Sequence, residues 1–121
     1  LESEQMVTRV RDDIGPYLQQ KWQALAEHPM VGEAVMAGLI GAFQFTSNKA
    51  KRSSFPAEAR IGMIAREHSF NNGLVMRAVG DRMVIAPPFS LTHAEADELI
   101  AKTQKVIELT YAHARNLGLI D

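Results

Sequence analysis

LVMRAVGDRMVIAPPF, Leu74 to Phe89, holds two short runs of alternating residues joined by Gly80-Asp81. A two-residue loop beginning with glycine is a β-hairpin signal, and its length fixes the pairing. Val79 then faces Arg82, Ala78 faces Met83, Arg77 faces Val84, and Met76 faces Ile85. Side chains alternate between the faces of a strand. Leu74, Met76, Ala78, Met83 and Ile85 therefore share one face, apolar throughout, which reads as core. Val75, Arg77, Val79, Arg82, Val84 and Ala86 share the other. Four aliphatics and two arginines make a poor solvent face, so something should cover it.

The covering element must also satisfy Arg77. A buried guanidinium without a partner costs several kcal/mol. Its planar fork suits a carboxylate held bidentately. Two readings stay open on the residues alone. Arg77 pairs with an acidic side chain of the same domain, Glu33 being a candidate, or it is a binding arginine for a substrate carboxylate. A register slip of one residue would send it to the other face.

Outward from the hairpin, Pro87-Pro88 cannot extend a ladder. Thr92 with Glu95 forms a capping box. It opens a last helix with Ala96, Leu99, Ile100, Thr103, Val106, Ile107, Thr110 and Leu117 inward, ending near Gly118. Upstream, a helix from Ala57 carries Ile61, Ile64, Ala65 and His68 on one side, with Gly73 as a left-handed stop. Val31 to Thr46 reads as extended, two strand segments bent at Gly38. Before it, Val7, Val10, Ile14, Tyr17, Leu18, Trp22 and Leu25 step by three and four, the stripe of an amphipathic helix. Pro16 predicts a kink or restart near Gly15-Pro16, and Pro29 sets the end. Together these predict an α+β fold, a small antiparallel sheet with helices packed on one face.

At 121 residues and 46% hydrophobic, the chain suits one globular domain with a real core. A net charge of -1 gives no general field for nucleic acid or an anionic membrane. With no cysteine there is no disulfide, thiolate metal site or thiol nucleophile. No apolar run approaches the ~20 residues that cross a bilayer, and no signal peptide is evident. The opening LESEQMVTRV, already in helical pattern and without an initiator Met, reads as a piece of something longer. A cytoplasmic location is the expectation.

GLVMRAVGDRMVIAPPFSLTHAEADELI resembles the closing segment of class III pyridoxal-phosphate-dependent aminotransferases, in the branch acting on amines or ω-amino acids with pyruvate. YLQQKWQALAEHPMVGEA is similar to the family's helix leading to its His-Pro-x-Val-Gly strand entry. GLIGAFQFTSNKAKRSSF is similar to its strand and basic loop ending in Phe. The resemblance is collinear over nearly all 121 residues. It implies that residues 1–121 form a single unit, the C-terminal small domain of a fold-type I transferase, with the large cofactor-binding domain absent. At the position of Arg77 the family has an arginine that binds the substrate carboxylate and swings aside for a carboxylate-free amine. Gly80, Asp81, Pro87 and Pro88 match scaffold positions that aim it. Arg82 matches a variable position and is expected to be solvated or to face another domain.

The resemblance further implies pyridoxal phosphate in the whole protein, a homodimer, a large domain as partner, and small amine and oxo-acid substrates. It places the Schiff-base lysine outside this chain, so the segment alone should be inactive. Two features depart from many relatives: Met36-Ala37 stand where Arg-Gly precedes the glycine matching Gly38, and Pro16 interrupts a helix. The rival reading is a stand-alone α+β module that binds a small carboxylate without catalysis.

Other residues read more simply. Lys21, Lys49, Lys51, Lys102 and Lys105 fall in polar loops or on solvated helix faces. His28, His68, His93 and His113 show no metal-ligand spacing. NKAKRSS could touch phosphate but reads as a solvated loop, since no aromatics interleave its charges. Met30, Met36, Met63, Met76 and Met83 read as core or interdomain filler. Asp12, Asp13, Glu95, Asp97 and Glu98 read as helix surface and complements to helix dipoles.

Overall fold

A turn at Gly38, where φ is +61°, folds Val31–Ala37 (β1) back on Ile40–Phe45 (β2). The second hairpin, Arg77–Val79 (β3) and Arg82–Ile85 (β4), inserts β4 beside β2. The result is a four-stranded antiparallel sheet in the order β1-β2-β4-β3. The computed structural model that shows this describes residues 3–88 and 90–120. Leu1, Glu2, Phe89 and Asp121 lie outside it.

The second hairpin keeps the predicted register. Val79 pairs with Arg82, Ala78 with Met83 and Arg77 with Val84. Met76 lies beyond the ladder, so the outer hairpin is shorter than alternation alone suggested. A bulge at Gly32 shifts the register of β1 between Val31 and Glu33.

Leu39, Phe43, Phe45, Met76, Met83 and Ile85 point to one side and are buried there. Gly41 lies among them for lack of room: a Cβ on it would stand 2.8 Å from the Trp22 ring. The Trp22 indole donates to the Ala42 carbonyl at 3.1 Å, which fixes the helix carrying it against β2.

That helix begins as Ser3–Arg9 (α1), widens into a π-turn at Val10–Ile14, and resumes as Gly15–Gln23 (α2). Pro16 sits in the first turn of α2, where its missing donor costs least. The wide turn brings the Val10 carbonyl within 1.9 Å of where a Cβ on Gly15 would be, so only glycine fits. A short 3-10 turn, Ala24–Glu27, ends the run, and His28 is already extended before Pro29. Val7, read as part of the inward stripe, is exposed, while Ile14 and Leu18 further along it are buried.

The helix expected from Ala57 starts later. Ala57–Ala59 is a 3-10 turn, Arg60 is left-handed (φ +52°), and the α-helix proper is Ile61–Asn71 (α3). Gly73 ends it at φ +79°, as predicted. The capping box is present: Thr92 Oγ1 accepts from the Glu95 N–H at 3.1 Å, and Glu95 accepts from the Thr92 N–H at 3.0 Å. It opens His93–Asn116 (α4). The inward positions predicted for α4 are buried except Leu117, which falls past its last turn and is exposed; Ala114 is buried in addition.

α2 packs against β1, α3 against β3 and β4, and α4 runs along α3 and α2. All these helices share the core of the inner face, so the fold is α+β with one covered and one bare sheet face. No helix among the described residues is long and apolar enough to cross a membrane.

Candidate functional site

The bare face of the sheet has three rows. Across the middle lie Val35, Ala42, Val84 and Arg77; beside them lie Glu33, Gln44, Arg82 and Val79. Val75 and Ile40 stand toward the third, at 81% and 61% exposure. Only four of these ten side chains are polar, so the face is mostly aliphatic and largely open.

Its two arginines differ. Arg82 Nη1 donates to Glu33 Oε2 at 3.3 Å, reaching across Gln44 within one row. The acidic partner suggested for Arg77 therefore belongs to Arg82. The strand order gives the reason: Glu33 is on β1, three strand spacings or about 14 Å from β3. Arg82, expected to be solvated or to face another domain, has a side chain 36% exposed and also pairs within its own sheet.

Arg77 is exposed, at the first residue of the edge strand, and has no hydrogen bond or ion pair among the described residues. Its stem lies on the row that contains Val84, with Val75 and Val79 two residues to either side. A guanidinium at such an edge, with no ion pair among the described residues, leaves its planar donor fork open to solvent.

The scaffold residues hold that edge. Gly80 has φ +59° at the first loop position, as a type II′ turn requires. The Asp81 carbonyl accepts from the Phe45 N–H at 3.0 Å, tying the turn to β2. Its carboxylate accepts from the Gly62 N–H at 3.2 Å, in the first turn of α3. Burial pushes the Asp81 carboxyl above the ordinary carboxylate range, and the Gly62 N–H partly opposes this. Pro87 and Pro88 leave the ladder, and the Pro88 carbonyl accepts from Leu91 N–H at 3.1 Å in the turn toward α4.

Gly62 was not singled out in the sequence. A Cβ there would stand 1.8 Å from the Gly80 carbonyl oxygen, so α3 meets the hairpin backbone to backbone. A glycine inside a helical pattern is the signal that marks such close approach.

The lysines are exposed or half-exposed. Lys21 reaches Asp97 (3.6 Å) and lies over the Tyr17 ring, and Lys102 pairs with Glu98 (2.9 Å). Lys49 donates to the carbonyls of Ala26 and His28, pinning the basic loop, while Lys51 and Lys105 face water. Two histidines serve packing: His28 lies 2.7 Å from Glu108 and edge-on to Tyr111, and His93 lies 2.8 Å from Asp13 with its ring tilted against Tyr17. Among the described residues no cluster of His or acidic side chains could hold a metal. Met30, Met36, Met76 and Met83 are core, while Met63 is exposed.

A two-layer α+β unit with these helices and this sheet is found in known proteins. A PLP-bound aminotransferase mutant from Vibrio fluvialis superposes with a TM-score of 0.86 at 26% identity, over 92% of this chain and 24% of that one. The fold is thus that of part of a fold-type I, pyridoxal-phosphate-dependent transferase. In sequence, the chain is 44% identical over 112 residues to putrescine–pyruvate aminotransferase of Pseudomonas aeruginosa, covering 93% of this chain and 24% of that protein. It is 35% identical over 112 residues to gamma aminobutyrate transaminase 1, mitochondrial, of Solanum lycopersicum, covering 93% of this chain and 22% of the relative. No family profile matches. The chain is similar to part of these aminotransferases and spans about a quarter of the length of these curated relatives.

Proposed function

We propose that this chain is the C-terminal small domain of a pyridoxal-phosphate-dependent aminotransferase, and that Arg77 recognises the substrate carboxylate. The whole protein would move an amino group from an amine or ω-amino acid to an oxo acid such as pyruvate, acting as a homodimer. The chemistry of amino transfer belongs to the cofactor, held by residues outside this chain. What this chain supplies is recognition and cover.

The observation that carries the reading is the contrast on the bare face. Arg82 is matched by Glu33, while Arg77, three strand spacings from Glu33 on the opposite edge, has no partner among the described residues. The aliphatic rows around it offer a surface against which a large domain can close. A carboxylate arriving there meets a fork that needs no desolvation from another ion pair. The long stem also lets the guanidinium leave when the pocket takes an amine without a carboxylate.

The test is a substrate panel on the full-length protein with Arg77→Ala. The kcat/KM for pyruvate and for ω-amino acids should fall about a hundredfold, a loss of a charged bidentate contact. The half-reaction with a carboxylate-free amine should fall far less. Equal losses for both substrate types would sink the assignment.

A further inference from the structure

Arg77 sits on a strand with little of its own to hold it. β3 is three residues long, lies at the sheet edge, and bonds to β4 alone. The approach to it, Leu74 to Met76, lies outside the ladder. Ladder bonds therefore constrain Arg77 from one side only, and the angle at which the hairpin leaves the sheet needs another determinant.

That determinant is at the turn. Gly62 at the start of α3 meets Gly80 with no space for a methyl group between them: the added Cβ would stand 1.8 Å from the carbonyl oxygen and 3.0 Å from its carbon. The Gly62 N–H is one of the donors that a helix start leaves without an intrahelical partner, and Asp81 takes it. An acidic side chain at that end also complements the helix dipole. The chain accepts a left-handed arginine, Arg60 at φ +52°, to swing α3 into this position. Strain of that kind persists only where surrounding contacts hold it.

We infer that Asp81 and Gly62 are positioning residues for Arg77. They clamp the hairpin turn to α3, and the clamp sets where the guanidinium stands. This rests on the reading of Arg77 as the carboxylate arginine. Asp81 touches no substrate in this scheme and acts through the backbone of the three residues between it and Arg77.

The test uses the full-length holoenzyme with Asp81→Ala, Asp81→Asn, Gly62→Ala, Arg77→Ala and the Asp81→Ala/Arg77→Ala double variant. Pyruvate KM and the rate with a carboxylate-free amine are measured for each. Asp81→Ala should raise the pyruvate KM about fivefold while kcat with the amine moves less than about twofold. Asp81→Asn should restore the KM, because an amide oxygen still accepts from Gly62. Gly62→Ala should exceed Asp81→Ala; if it fails to fold, the Asp81 series stands alone. In the Arg77→Ala background, Asp81→Ala should add nothing to the pyruvate KM.

Equal losses for pyruvate and amine in Asp81→Ala would reduce the clamp to general stability and overturn the inference. So would an Asp81→Ala effect that persists in full without Arg77. If Arg77→Ala itself spares carboxylate substrates, the earlier reading fails and the positioning role falls with it. If Arg77→Ala is selective and Asp81→Ala is silent, only the clamp is wrong.

Discussion

The sheet carries valine, isoleucine or methionine on both faces, yet the two faces live in different environments. On the inner face, Phe43 and Met83 are completely buried under α2, α3 and α4. On the outer face, Val75 and Ile40 stand mostly in water, and no helix among the described residues crosses them. Contiguous exposed apolar patches mark contact surfaces. The difference teaches that hydrophobicity alone does not locate the core. What separates the faces is the geometry of the connections, which return every helix to the same side.

Three substitutions can break or sharpen this contrast. Phe43→Ala, on the inner side of β2, removes a ring packed against Trp22 and Phe45. It should cost about 3–5 kcal/mol in chemical denaturation of this chain, enough to unfold many domains of this size. Ile40→Lys, on the outer side of the same strand, should change that stability by less than about 0.5 kcal/mol. In the full-length protein the same lysine should lower activity, since it places a charge on the proposed docking face; an effect of similar size in the short chain would show that the face is covered from within.

The smallest effect concerns Asp81, at the seam between the faces. Its carboxyl is pushed up by burial. Between the ordinary carboxylate value and the raised folded value, the folded chain holds more protons than the unfolded one. Stability contributed by this group therefore grows as pH falls through the folded value, and its charge is a cost at neutral pH. Asp81→Asn removes that cost. The variant should melt slightly above the parent at pH 7, and the gap should close toward roughly pH 4. A gap that widens on acidification would contradict this.

Local rules reached far into this fold. A two-residue loop beginning with glycine fixed the register that places Arg77 opposite Val84, and a Thr-x-x-Glu pattern placed the start of α4. Legibility stopped where strand order mattered. Nothing local says that β4 inserts beside β2, so Glu33 could not be assigned to Arg82 from the chain alone. The start of α3 was missed because no propensity rule selects an arginine for positive φ at position 60. The contact of Gly62 with Gly80 is long-range and carries no periodicity. For the site, the arginine and its turn were readable, while what clamps the turn required the folded arrangement.

The two rims of the sheet have one more consequence. β1 is interrupted by the bulge at Gly32, and β3 offers only three residues of open backbone. Each presents a poor template for another strand. The outer face can thus stay aliphatic and open without recruiting other copies into ribbons. Lengthening β3 or flattening the bulge would remove that safeguard before it touched any catalytic group.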